Sequence, residues 1–372
     1  MRYREYGETG AKVSALGFGC MRFPMEDEKV KKEETIKILR RAIDLGINYF
    51  DSAVMYCKNQ SETVLGEALE GRRAEVYVST KNHYKGDDPK EWRKYLDQSL
   101  DRLGVEYIDF YHLHDLRLKQ YKEHLLPGGC IDEALEAKKD GLIKHLCFSS
   151  HDDPTNIKKL IDTGLFEGIL VQYNIFDRVN EDVISYATER KMGVSIMGTV
   201  GGGRLIPLSE KIEGMTPDRE STPTLAIRFV LSNPGVTVAL SGMNTAEMVE
   251  ENVAAASREA PLSEEEKSQI ADVIDQTKKL EGLYCTGCDY CMPCPFGVDI
   301  PANFTAFNLA KVWGLESQAK IQYKALGDRK EEGEPAPAWA AACTGCKKCE
   351  SKCPQNIPIA EKMKEVEEAL SG

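Results

Sequence analysis

The chain has 372 residues, 42% hydrophobic and 29% charged, which exceeds one ordinary core and predicts two or three domains. Its formal net charge of -12 leaves no clustered basic surface for phosphate backbones and excludes nucleic acid as a partner. No apolar run reaches the length of a membrane span, and Met1-Arg2-Tyr3-Arg4 leads into a strand-like stretch without a signal-peptide core, so a cytoplasmic protein that contacts no membrane is expected.

From the N-terminus, Arg2 to Tyr6 followed by Gly7 to Gly10 predicts a small hairpin. Short β-branched runs then alternate with amphipathic stretches. Predicted strands are Val13 to Gly19, Ile47 to Phe50, Val76 to Thr80, Tyr107 to Leu113, Leu142 to Phe148, Gly168 to Gln172, Gly193 to Met197 and Val236 to Leu240. Predicted helices between and after them are Glu33 to Leu45, Glu62 to Leu69, Pro89 to Leu103 and Ile131 to Lys139, then Pro154 to Ile161, Glu181 to Lys191, Pro223 to Leu231 and Thr245 to Ala256. Eight strand-helix repeats over some 260 residues are the arithmetic of an α/β fold, a closed (β/α)8 TIM barrel with the hairpin plugging its lower end. An open doubly wound sheet, with typically about five or six strands, is the rival. The barrel is assigned to 1–260 and a polar linker helix, Ser263 to Leu280, to 261–280. A mainly α-helical second domain takes 281–372, with a helical stretch at Asn303 to Leu326 and a loose acidic loop at Glu331 to Pro337.

Chemistry in such a barrel sits where its strands end, so polar residues that close the apolar runs are the candidates. The second strand runs into Asp51 and, shortly after, Tyr56; the third ends in Ser79-Thr80-Lys81; the fourth ends in Tyr111-His112-Leu113-His114. An acid, a phenol, an amine and an imidazole thus converge from three consecutive strands. A tyrosine hydroxyl titrates near 10, too high for efficient proton exchange at neutral pH. A nearby ammonium favours the phenolate, and a carboxylate paired with that ammonium holds it in place. The set suits protonation of a carbonyl oxygen as hydride arrives at carbon.

With Gly10-Ala11-Lys12-Val13-Ser14-Ala15-Leu16-Gly17-Phe18-Gly19 as its opening strand and Asp51, Tyr56, Lys81 and His114 in order, the first 260 residues resemble an aldo-keto reductase. The resemblance implies that Tyr56 is the general acid/base, Lys81 and Asp51 its tuners, and His114, rather than His112, the residue that orients the carbonyl. It also implies a nicotinamide dinucleotide laid across the rim. The positions matching its carboxamide contacts are Ser149, Ser150 and Gln172, with Met197 where many members place an aromatic ring. Gly201-Gly202-Gly203 would approach the pyrophosphate, Gly203 among them. Ser241, Gly242, Met243, Asn244 and Asn252 match the adenosine-phosphate site. Members that prefer NADPH carry basic residues there, and this chain has Gly242 and Met248, so either NAD(H) or NADP(H) is implied with NADH favoured and Arg258 as an alternative source of charge.

Of twelve cysteines, Cys20, Cys57, Cys130 and Cys147 are scattered, and eight fall within residues 285 to 353. A cytosolic chain keeps thiols reduced, so the clustered set reads as a metal site. Cys285, Cys288 and Cys291 precede Cys294-Pro295; Cys343, Cys346 and Cys349 precede Cys353-Pro354. The second run has the C-x2-C-x2-C-x3-C-P spacing of two-cluster ferredoxins, in which the fourth cysteine serves the other cluster. By that logic Cys285, Cys288, Cys291 and Cys353 hold one [4Fe-4S] cluster and Cys343, Cys346, Cys349 and Cys294 a second, in a ferredoxin-like domain. The first run is one residue short, with only Met292 and Pro293 between Cys291 and Cys294. Structural zinc is the alternative; it favours two cysteine pairs per site, not triplets with a distant fourth ligand.

The leading expectation is an oxidoreductase moving hydride between a nicotinamide and a small carbonyl or alcohol substrate, with an appended iron-sulfur domain. Hydride carries two electrons and a cluster takes one, so direct coupling needs a gate such as flavin, for which no motif is recognisable. A flavin- or partner-coupled electron-transfer protein with a redox partner protein, and a cluster-based redox sensor on a barrel scaffold, are the competing functions.

Overall fold

The computed structural model describes residues 1–175, 177–201, 220–258, 262–263, 265–268, 270, 285, 288–311, 316–328 and 338–371. The chain divides into two compact units, Met1–Ser268 and Gln269–Gly372. Most of the expected linker helix at 261–280 and the loop at 331–337 lie outside the described residues.

In the first unit eight parallel strands close into a barrel, each paired with its neighbours in sequence. They are β1 (Leu16–Gly19), β2 (Tyr49–Asp51), β3 (Tyr77–Asn82), β4 (Ile108–Leu113), β5 (Ile143–Ser149), β6 (Gly168–Gln172), β7 (Gly193–Met197) and β8 (Val238–Ser241), with β8 returning to β1. The helices that follow them are α1 (Lys32–Asp44), α2 (Ser61–Ala68), α3 (Pro89–Leu103), α4 (Cys130–Lys139), α5 (Pro154–Ile161), α6 (Glu181–Glu189), α7 (Thr222–Ser232) and α8 (Ala246–Ser257). Side-chain caps start several of them: Asp88 accepts from Lys90 N and Asp153 from Thr155 N, each just ahead of a proline whose missing N–H costs nothing at a helix start.

The expected first strand, Val13 to Gly19, is two pieces. Lys12–Ser14 pairs antiparallel with Tyr3–Glu5, whereas Leu16–Gly19 pairs parallel inside the barrel. One extended run cannot lie in both sheets, so the chain turns at Ala15. Its N–H donates to Arg2 O (2.9 Å), and its carbonyl accepts from Ala239 N (2.8 Å).

The hairpin does plug the barrel. Tyr6 is fully buried against Tyr49 and Phe110, with ring centroids 5.9 and 4.4 Å away, and its hydroxyl meets Ser195 Oγ at 3.2 Å. Room for that ring comes from glycines at the starts of β6 and β7. A Cβ on Gly193 would lie 2.0 Å from Tyr6 Cδ1, and one on Gly168 would lie 2.5 Å from Tyr6 Cε1.

The second unit builds its core from α9 (Ile300–Lys311), α10 (Glu316–Asp328) and α11 (Ile359–Leu370). Phe304, Phe307, Tyr323, Met363 and Val366 meet there with Val298 and Ile357. The single helical stretch expected at Asn303 to Leu326 is therefore two helices, because Phe304 and Tyr323 can join one apolar cluster only if the chain reverses between them. Asn303 braces the unit, donating to Asp299 O and Ala338 O at 2.7 Å each.

Gly193→Ala is expected to destabilise the protein by about 1–3 kcal/mol, the usual range for overpacking a filled interior. Urea denaturation of the two proteins measures it, and an unchanged midpoint would show that the plug yields freely.

Candidate active site and cluster ligands

Strand alternation stacks the barrel interior in layers. Tyr49 and Phe110 form an aromatic floor with Tyr6. Two residues further along the same strands the inward side chains turn polar: Asp51 after Tyr49, Lys81 after Ser79, His112 after Phe110. The register sets Asp51 opposite Ser79 and Lys81 opposite His112.

Asp51 and Lys81 form an ion pair with side chains 4% and 1% exposed. Lys81 Nζ donates to Asp51 Oδ1 and, at 2.7 Å, to Ser52 O; Ser79 Oγ donates to Asp51 Oδ2 at 2.7 Å. The ammonium lies 4.8 Å from the centre of the Tyr56 ring. Tyr56 opens a turn in which Cys57, Lys58 and Asn59 all have positive φ (51°, 54° and 65°), a left-handed run that costs non-glycine residues on the order of 1 kcal/mol each. Cys57 Sγ bonds the carbonyls of Cys20 and Met21, tying this turn to the segment after β1. The Tyr56 and His114 rings meet edge to face, with centroids 6.2 Å apart and planes at 88°.

The structure separates the two histidines. His114 lies beside Tyr56, and burial together with the positive charges of Lys81 and Lys85 holds its pKa well below the usual histidine value, so its ring is neutral. His112 is completely buried alongside Lys81, and burial pushes its pKa down to about 4.

The other rim residues fall into two groups. At the mouth, Gln172 Nε2 donates to Asp177 Oδ2 (2.7 Å), and Asn174 Nδ2 to Gly198 O (3.0 Å) beside half-buried Met197. Thr199 Oγ1, two residues beyond Met197, is buried without a partner among the described residues, an orphan that a polar group of a bound dinucleotide would satisfy. Elsewhere the predicted side chains brace the rim. Ser149 Oγ accepts from Asp115 N (2.9 Å); Ser150 Oγ donates to Leu116 O (2.7 Å) and accepts from Asp152 N (3.1 Å). Asn252 Nδ2 donates to Ser241 Oγ (3.1 Å) under α8, and Met243 is fully buried. Gly242 and Asn244 are exposed at the head of α8, which Thr245 caps at Met248 N. Arg258 pairs with Glu220. Gly203 lies outside the described residues, while Gly201 has φ +57°.

Several contributors escaped the sequence. Ser79 carried a signal, since period-two alternation puts it on the face of Lys81. Asn174, Asp177 and Thr199 carried none. Arg22, after β1, carried none either; its Cβ lies 3.6 Å from where a Cβ on Gly242 would be.

In the second unit Cys285, Cys288, Cys291 and Cys353 line one cavity with Ile300, Phe304, Ile357 and Ile359. Burial, then the neighbouring Cys285, Cys288 and Cys353, push the Cys291 thiol up to about 12 in the absence of metal charge. Cys294, Cys343 and Cys349 border the same apolar core, and Cys346 is exposed. Among the described residues no three His, Cys, Asp or Glu side chains converge on a point suited to a single ion. The four cysteines around that cavity match the ligand number of one [4Fe-4S] cluster.

A closed parallel barrel with an acid, an amine, a phenol and an imidazole at its carboxyl mouth is the architecture of a barrel oxidoreductase. Residues 15–275 match the model of the aldo/keto reductase family, and the chain belongs to that family. Residues 284–358 match the model of a 4Fe-4S dicluster domain. The oxidoreductase YqkF of Bacillus subtilis is 29% identical over 306 residues, covering 72% of this chain and 95% of its own. L-galactose dehydrogenase of Arabidopsis thaliana is 28% identical over 306 residues, covering 74% of this chain and 95% of its own. The holo form of an aldo-keto reductase from Bacillus halodurans superposes with a TM-score of 0.64 at 26% identity, over 73% of this chain and 96% of that one. The protein is thus an oxidoreductase with an appended iron-sulfur domain. No described helix is long and apolar enough to cross a membrane.

Stability is expected to fall as pH drops from about 6.5 toward 4, because unfolded histidines take up protons that His112 and His114 resist when folded. Each contributes a slope approaching about 1.4 kcal/mol per pH unit in that window. Urea titrations at about pH 7 and 5 check this: wild type must lose more than His112→Gln. Separately, Cys285→Ser and Cys353→Ser are each expected to remove the same cluster and leave about half the iron and sulfide. Electron paramagnetic resonance of the surviving cluster compares the two variants, and different survivors would refute the cross-pairing.

Proposed function

We propose that the barrel interconverts a small carbonyl compound and its alcohol with a nicotinamide dinucleotide, using Tyr56 as proton donor and acceptor. The carrying observation is the Lys81 ammonium over the Tyr56 ring, held there by buried Asp51. The bound nicotinamide supplies or accepts the hydride. Tyr56 gives its phenolic proton to the carbonyl oxygen and takes it back in the reverse direction. Lys81 stabilises the phenolate left behind, and Asp51, fixed by Ser79, keeps that ammonium in register. Neutral His114 offers a ring N–H to the carbonyl oxygen without adding a charge. Ser149, Gln172, Met197 and Thr199 would hold the nicotinamide end, and Gly242, Asn244 and the capped start of α8 the adenosine phosphates.

Gly242 and Met248 leave the head of α8 without a basic group of its own, which favours NADH, and Arg258 is engaged by Glu220. Among the described residues Arg22 is a basic side chain beside Gly242, and NADPH would be accepted through it. The eight clustered cysteines would hold two [4Fe-4S] clusters that exchange single electrons with a partner protein. A two-electron hydride does not pass to a one-electron cluster without a gate, so the two chemistries are assigned to separate units.

Tyr56→Phe is expected to lower kcat by about 100-fold or more with dinucleotide affinity retained, the range for losing a positioned proton donor. Anaerobic turnover with a carbonyl panel and fluorescence titration with NADH measure the two quantities. Unaltered turnover would refute the role of Tyr56.

A further inference from the structure

The two cysteine sets of the second unit differ in exposure and in the charge around them. Cys291 and Cys353 are buried, and their cavity is walled by Ile300, Phe304, Ile357 and Ile359. Around the other set the backbone comes to the surface: Cys346 is exposed, and so is the whole run from Thr344 to Lys348. That loop carries Lys347, Lys348 and Lys352, all exposed, and among the described residues none of the three is in an ion pair. Its one acid is turned inward. Glu350 is half-buried, and its carboxylate accepts from Ala360 N at 3.0 Å, bracing the start of α11. The outward face of the loop is therefore uniformly positive on a chain whose formal net charge is -12.

A collar of like charges around a redox ligand at the surface has the make-up of a transient electron-transfer interface, whose charges steer encounter. At physiological salt, charges beyond about 8 Å are largely screened, so the local lysines and not the overall acidity decide what approaches. We propose that the edge formed by Cys346, Lys347, Lys348 and Lys352 is the docking face for an acidic one-electron carrier protein. The proposal rests on the assignment of Cys294, Cys343, Cys346 and Cys349 as ligands of one [4Fe-4S] cluster. One electron leaves the reduced carrier, whose centre is oxidised by one unit, and the cluster held by these thiolates is reduced by one unit. No covalent bond or proton changes hands.

The test uses the full-length holoprotein under anaerobic conditions, with reduced flavodoxin as the acidic carrier and a basic c-type cytochrome, as electron acceptor, for contrast. Stopped-flow absorbance follows electron transfer in wild type and in a variant combining Lys347→Glu, Lys348→Glu and Lys352→Glu. Iron content and reduction by a small viologen verify its clusters. The reversal is expected to slow flavodoxin oxidation about tenfold or more at low salt, with the gap closing near about 0.5 M salt and viologen reduction unchanged. If reversal impairs cluster assembly, the corresponding Lys→Gln variant is expected to show a smaller loss with the same salt dependence. Equal flavodoxin rates in wild type and a cluster-replete variant, or a reversal that slows exchange with the basic cytochrome as much as with flavodoxin, would overturn the docking face while leaving the clusters in place. Wild type that holds no iron, or clusters that viologen cannot reduce, would overturn the cluster assignment itself and the docking face with it.

Discussion

The buried ion pair between Asp51 and Lys81 is the interaction on which the polar layer at the barrel's mouth depends. Two charges removed from water cost several kcal/mol each, and their mutual attraction offsets this only when the remaining hydrogen-bonding positions are also filled. Here Ser79 and the Ser52 carbonyl fill them. The neighbouring His112 remains neutral, which spares the site a further buried charge. The pair has two places to lean: the aromatic floor of Tyr6, Tyr49 and Phe110 below, and the Tyr56 ring above. That floor stands on Gly168 and Gly193, residues far from the mouth whose lack of side chains admits Tyr6. The packing beneath the polar layer at one end of the barrel thus rests on backbone choices at the other.

Strain is concentrated at the same place. Three successive left-handed residues follow Tyr56, and Cys57 fastens them to the segment after β1. A turn this costly persists only where its surroundings over-determine it. Buried Ser61, whose hydroxyl bonds Cys20 O at 2.8 Å, supplies part of that constraint from the start of α2. Ser149 and Ser150 do comparable work across the mouth, holding the backbone from Asp115 to Leu116 and so the path of the chain just after His114.

The second unit solves a different problem. Its two cysteine runs begin 58 residues apart in sequence, and Cys353 of the second run lines the cavity of Cys285, Cys288 and Cys291 from the first. The helices between them must reverse to bring Cys353 back to the Cys285 run, and the cluster of Phe304, Phe307, Tyr323 and Met363 holds that reversal. The same fold buries Cys291 and Cys353 beside isoleucines and leaves Cys346 exposed in a lysine-rich loop, so two nearly identical motifs acquire different surroundings.

Periodicity and spacing in the sequence already determined the alternation of strands and helices, the polar residues that close β2, β3 and β4, and the paired cysteine runs, while the choice of His114 over His112 came from the family resemblance. These are local properties: a strand's alternation, a helix's start and the separation of ligands within one loop are set by residues within a few positions of each other. Only the tertiary structure decided what depends on long-range closure. It broke the first expected strand at Ala15, because two sheets claim its halves, and it divided one expected helix to close an apolar core. It set the surroundings of each histidine, with the Tyr56 ring against His114 and Lys81 beside His112. It also turned Ser150 and Ser241 toward the frame and brought Arg22 against Gly242, some two hundred residues away. A sequence carries its short-range periods openly, whereas which distant side chains meet is set only when the sheet closes and burial selects among the polar groups that can be satisfied.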